Sequence, residues 1–202
     1  MNIYVETNFV LELVFQQEQS TSCEQILQFC EANQAQLIVP AYSLAEPHEK
    51  LIRQARNRRK LQQELDVELR QLVRTTSYQT RITSLQDITR LLIQSNEEEQ
   101  QRFIQYRARI LRTAHIIPLT AAILVQATNY EEPYGLGLSP QDALAYASVI
   151  EHLHESQPTN ACFLNRNSKD FDNPDIVDEL AQSNCRMIAR FDQGYSFMQA
   201  QS

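Results

Sequence analysis

The sequence predicts a layered α/β fold with a central, mainly parallel sheet, and three observations carry that expectation. Short apolar runs alternate with longer stretches of helical spacing along the chain. The run Ala161-Cys162-Phe163-Leu164 is continuously apolar, as suits a strand covered on both faces. Only 3 of the 202 residues are glycine, while Gln, Leu, Ala and Glu abound, which disfavours an all-β or loop-rich architecture and favours helix.

The elements follow in order. Ile3-Tyr4-Val5 is a β-prone run that stops at the polar turn Glu6-Thr7-Asn8. Phe9, Val10, Leu13 and Val14 then recur at helical spacing, and Thr7 or Asn8 suits the N-cap of that helix. A second helix spans about 22–32, with Ile26, Leu27 and Phe29 as its apolar positions. Leu37-Ile38-Val39 is a buried strand stopped by Pro40, and the chain is helical from Ser43. Between about 51 and 115 the pattern is that of a helical insertion. Leu61, Leu65, Leu69 and Leu72 form one helix face, expected to pack. Ser84-x-x-Asp87 and Ser95-x-x-Glu98 resemble capping boxes opening two further helices, the second carrying Phe103, Tyr106, Ile110 and Leu111. Thr120 begins another helix, and residues 131–137 form a loop. Ser139-Pro140-Gln141-Asp142 opens a helix of small residues, Ala161–Leu164 is a strand, and residues 185–189 form the last one. No Gly/Pro/Ser linker divides the chain, so residues 1–202 are expected to be one domain.

Composition narrows the function classes. Net charge is -7, so any nucleic-acid contact depends on local clustering of positive charge rather than on the bulk. Such a cluster exists: Lys50, Arg53, Arg56, Arg58, Arg59 and Lys60 fall in eleven consecutive positions without an acid. It is either a phosphate-contacting face or a solvated helix face with i,i+4 pairs such as Lys60 with Glu64. The four cysteines form no C-x-x-C pair and are expected to be reduced and buried, as in a cytoplasmic protein. The N-terminus lacks the basic-then-apolar pattern of a signal peptide, and no run of about 18 apolar residues is present to span a membrane.

Acids and amides recur just beyond the strands. Glu6 and Asn8 follow the first, Glu46 follows the second by two helical turns, and Asp142 lies in the first turn of its helix. Asn165 and Asn167 follow Phe163-Leu164, with Asp170 and Asp172 close behind. A parallel sheet gathers such positions along its carboxyl edge. Several oxygen donors meeting there suit a hard cation, Mg²⁺ or Mn²⁺. Phosphodiester hydrolysis is the chemistry that uses such a cluster, because the ion polarises phosphate and activates water without a protein nucleophile. The chain has no G-x-S-x-G elbow, P-loop or G-x-G-x-x-G.

These motifs, in their order, resemble the PIN-domain ribonucleases. Ile3-Tyr4-Val5-Glu6-Thr7-Asn8 is similar to that family's opening strand and Asp-Thr-Asn, and Pro40-Ala41-Tyr42-Ser43-Leu44-Ala45-Glu46 to its proline followed six residues later by an acid. Asp142-Ala143-Leu144 resembles its third motif, and Asn165-Arg166-Asn167 with Phe171 its fourth, usually Thr-x-Asp. The resemblance implies a three-layer PIN-like fold and Mg²⁺- or Mn²⁺-dependent endoribonuclease activity. Many members are toxins neutralised by an antitoxin protein, and homodimers are common. It implies Glu6, Glu46, Asp142 and Asn167, with Asp170, as the catalytic and metal positions. Asn8, Arg53, Arg56 and Arg59 are the candidate RNA contacts.

The sequence departs from the pattern in three ways. Glu6 replaces an aspartate, Asn167 replaces an acid with an uncharged amide, and the second and third acids are 96 residues apart (142 minus 46) because of the helical insertion. Plainer roles exist too: Asp142 as a helix cap, Glu46 as a solvated helical acid, Asn8 as an N-cap and Asn167 as a turn residue. The alternative to a nuclease is a catalytically weakened PIN-fold module that binds RNA or a protein.

Overall fold

The computed structural model describes every residue except 77, 78, 132, 134, 168–170, 172 and 202, and the side chains of 79–86. Five parallel strands form the sheet: β1 (Asn2–Val5), β2 (Gln36–Pro40), β3 (His115–Ile117), β4 (Ala161–Leu164) and β5 (Cys185–Ile188). Their order is β3-β2-β1-β4-β5. The chain therefore starts at the centre, winds to one edge, and returns to the other side of β1. The change of direction falls between β1 and β4, which is where α/β sheets open a crevice. Val5 pairs with Leu164, so these two strands leave the sheet at the same level.

Alternation along the strands sends side chains to two separate cores. Ile3, Val5, Leu37, Val39, Cys162 and Leu164 pack on one face against α1 (Thr7–Phe15), α2 (Ser20–Glu31) and α8 (Phe191–Ala200). Tyr4, Ile38, Ala161 and Phe163 pack on the other against α5 (Ala121–Thr128), α6 (Pro140–Ser156) and α7 (Pro174–Gln182). Helix, sheet and helix thus make the three layers expected from the sequence. Gly194 of α8 lies so close to β4 that an added Cβ would stand 2.7 Å from Leu164 Cδ2, which is why that helix carries glycine in its interior.

The helical stretch differs from its sequence reading. It is two long antiparallel helices, α3 (Ala41–Leu72) and α4 (Gln79–Thr113), and α3 starts directly from the end of β2. Ser84 and Ser95 do not open separate helices, since both lie within α4. The Ser95 hydroxyl instead donates to the Leu92 carbonyl at 3.1 Å, the back-bond of a mid-helix serine. Phe103 and Ile110 bury against the first core and root the hairpin there, whereas Leu111 is exposed. Of the leucine face on α3 only Leu69 is buried; Leu61 and Leu72 are exposed. The N-cap of α1 is also not Thr7 or Asn8: it is Glu6, whose carboxylate accepts the Asn8 N–H at 3.1 Å. Among the described residues, no helix is long and apolar enough to cross a membrane.

Candidate active site

A cavity of about 430 Å³ opens at the carboxyl end of β1 and β4. Glu6, Glu46, Asp142 and Asn167 all line it. Four different local structures deliver them. Glu6 caps α1 at the tip of β1, Glu46 lies in the second turn of α3, Asp142 is in the first turn of α6, and Asn167 is in the loop after β4.

Each acid is fixed by a short hydrogen bond from its neighbourhood. Glu6 Oε1 takes the Asn8 amide. Glu46 Oε2 accepts from the Thr7 hydroxyl at 2.5 Å, which ties α3 to α1. Asp142 Oδ2 accepts from the Ser139 hydroxyl at 2.6 Å, while the Asp142 N–H donates back to the same Ser139 oxygen at 3.2 Å. That reciprocal pair is a helix cap, so the structural role of Asp142 and its place on the cavity coexist. Asn165, buried at the end of β4, accepts the Asn167 N–H at 2.8 Å and the Asn8 side-chain amide at 3.5 Å, holding the loop against α1. Its own Nδ2 is buried and has no hydrogen-bond partner among the described residues.

Burial, followed by the nearby charges of Asp142 and Glu46, pushes the Glu6 carboxyl up to about 8. Lys50 and Arg53 of α3 supply positive charge on the same wall. The donor set is all oxygen, which fits Mg²⁺ or Mn²⁺ in kind. In spacing it is open: among the described residues, no three His, Cys, Asp or Glu side chains are grouped as metal ligands. Asp170 lies outside the described residues, as does Asp172.

The other candidates divide. Asn8 and Arg53 line the cavity with the acids. Arg56 and Arg59 do not; they line a separate groove of about 840 Å³ between α3 and α4. Arg58 is turned into the hairpin, where its guanidinium grips Glu99 through two bonds of 2.7 and 3.0 Å. Lys60 pairs with Glu64 at 3.9 Å. No histidine lines the acidic cavity: His48 stacks on Phe103, and His152 accepts or donates at Tyr4 Oη, 2.8 Å away.

Two charged residues of the cavity wall, Glu12 and Arg166, had no role assigned from sequence. Glu12 is buried on α1 and ion-pairs with Arg166 of the loop after β4. The available signal was Glu12 itself, an acid inside the apolar run from Phe9 to Phe15. Its partner 154 residues away could not be read from spacing.

Neither a comparison with curated proteins nor one with solved structures finds a match. A family model described as PIN domain matches residues 3–171, a span that runs from β1 into the segment after β4 and includes Glu6, Glu12, Glu46 and Asp142 of the cavity. With that match over most of its length, a parallel sheet in three layers and the four motifs in order, the chain belongs to the PIN-domain family.

Proposed function

We propose that this protein is a divalent-metal-dependent endoribonuclease, with Glu6, Glu46 and Asp142 as direct or water-mediated ligands of Mg²⁺ or Mn²⁺ and Asn167 completing the set. PIN is a nuclease-type fold that generally depends on divalent metal. What supports the assignment in this chain is that the three carboxylates line one cavity at the sheet's switch point. A bound ion would supply Lewis-acid polarisation of the phosphate and a water of lowered pKa.

The chain's own residues do the rest. Thr7 and Ser139 hold Glu46 and Asp142 so that both face the cavity, limiting the reorganisation needed when a substrate arrives. Burial first, and the charges of Asp142 and Glu46 next, hold the Glu6 carboxyl up at about 8, and a bound cation would oppose that shift. Lys50 and Arg53 stand where an incoming phosphate backbone would lose its own repulsion from the acids. Arg56 and Arg59 would contact RNA beyond the cavity, along α3.

The uncharged amide of Asn167, at a cavity position where the family pattern has an acid, favours a second reading, a catalytically weakened module that binds RNA or a protein. Cleavage of labelled single-stranded RNA in Mn²⁺ separates the two. Under the nuclease reading, Asp142→Asn lowers the rate by about a hundredfold or more. Equal rates for variant and wild type reject metal catalysis at this site. RNA binding without cleavage by the wild type, together with no heat of Mn²⁺ binding in calorimetry, selects the binding module.

A further inference from the structure

Arg166 forms part of the acidic cavity's wall. It also lines a second cavity of about 350 Å³, whose walls include Glu18, Gln19 and Arg190. The residue is therefore the partition between two adjoining spaces on the same edge of the sheet.

Its guanidinium is shared between two glutamates of unlike character. Nη1 bonds Glu12, whose side chain is 2% exposed and whose other oxygen accepts the Gln19 N–H at 3.0 Å. Nη2 bonds Glu18 at 2.7 Å, and that glutamate is 82% exposed. Breaking the first bond would strand a buried carboxylate, so it persists. The second is an exposed pair of little net strength, screened by salt and readily exchanged. The Nη2 group that donates to the Glu18 carboxylate can donate to a phosphate oxygen in its place.

We propose that Arg166 is a phosphate clamp for the RNA strand, anchored on Glu12, with Glu18 standing in the phosphate position until a strand displaces it. The inference rests on the nuclease-type reading of the cavity. A strand crossing the acidic cavity passes over Arg166 into the second space, where Arg190, held by the exposed Asp192 at 2.7 Å, is the next cation. Glu18 then acts as a competitor in cis, and its removal strengthens binding rather than weakening it.

The test is fluorescence anisotropy with a labelled single-stranded RNA oligonucleotide, Ca²⁺ replacing the catalytic ion, on the full chain. Glu18→Gln changes an exposed residue and is expected to lower Kd about threefold. Arg166→Lys keeps a charge for Glu12 but loses the fork, and is expected to raise Kd about tenfold, with native circular dichroism as the folding control. In the Arg166→Lys background, Glu18→Gln gains nothing. An unchanged Kd for Glu18→Gln overturns the clamp, and so does an equal gain in both backgrounds, which is the signature of net charge alone. RNA binding by the wild type with either of those results leaves the cavity's function standing. No binding by the wild type overturns both.

Discussion

At the scale of the residue, Glu6 is far from an ordinary carboxylate. It is a buried carboxyl at the tip of the central strand, and burial with two neighbouring acids raises it from 4.5 to about 8. In the unfolded chain this carboxyl ionises near its ordinary value, but in the folded one it does so only near 8. Its contribution to stability is therefore full below pH 4.5 and is lost as pH rises through 8. The metal-free protein is expected to be less stable at pH 8.5 than at pH 5 by a few kcal/mol from this group, with Glu6→Gln removing that part of the slope. Urea denaturation in EDTA across this range checks it; an unaltered slope in the variant would show that Glu6 is hydrated or already paired.

At the scale of the element, α3 carries residues with opposite duties on neighbouring turns. Lys50 and Arg53 face the acidic cavity, Arg56 and Arg59 face the groove against α4, and Arg58 is bound by Glu99, which is itself buried. From sequence these are one basic run; the helical period distributes them over three environments. Arg58→Ala leaves the Glu99 carboxylate without its bidentate partner and is expected to cost about 2 kcal/mol. Arg56→Ala, on the groove surface, is expected to stay within about 0.5 kcal/mol. Midpoints of urea unfolding distinguish them, and equal losses would mean the hairpin is not held by that pair. The capping boxes around Ser84 and Ser95 failed as helix starts for a related reason. A Ser-x-x-acid pattern is local, whereas α4 is buried on both sides of Ser95, at Thr89 before it and at Glu99, Phe103 and Ile110 after it, so tertiary packing carries the helix past the local start signal.

At the scale of the molecule, the central strands are covered on both faces, and the cysteines record it. Cys23, Cys30, Cys162 and Cys185 are all free and buried, and burial pushes the thiols of Cys30 and Cys185 up to about 12 and that of Cys162 well above its ordinary value. No thiol is expected to react with Ellman's reagent in the native protein, and all four after unfolding in urea. Native Cys162 or Cys185 reacting at the rate of free cysteine would contradict the packing of β4 and β5.

Strand, helix and motif order were readable in the sequence because each depends on residues within a few positions of one another: Ile3-Tyr4-Val5 before Glu6, Pro40 before Glu46, Ser139 before Asp142. Two-sided burial of the sheet was readable as well, from the unbroken apolar run of β4. The tertiary fold alone decided which distant groups share a wall. Thr7 holds Glu46 across 39 residues and Arg166 meets Glu12 across 154, contacts that exist only because the order β3-β2-β1-β4-β5 brings the ends of β1, β2 and β4 together. Sequence spacing encodes the period of a helix or strand; the distance between two elements is set by how their apolar faces pack.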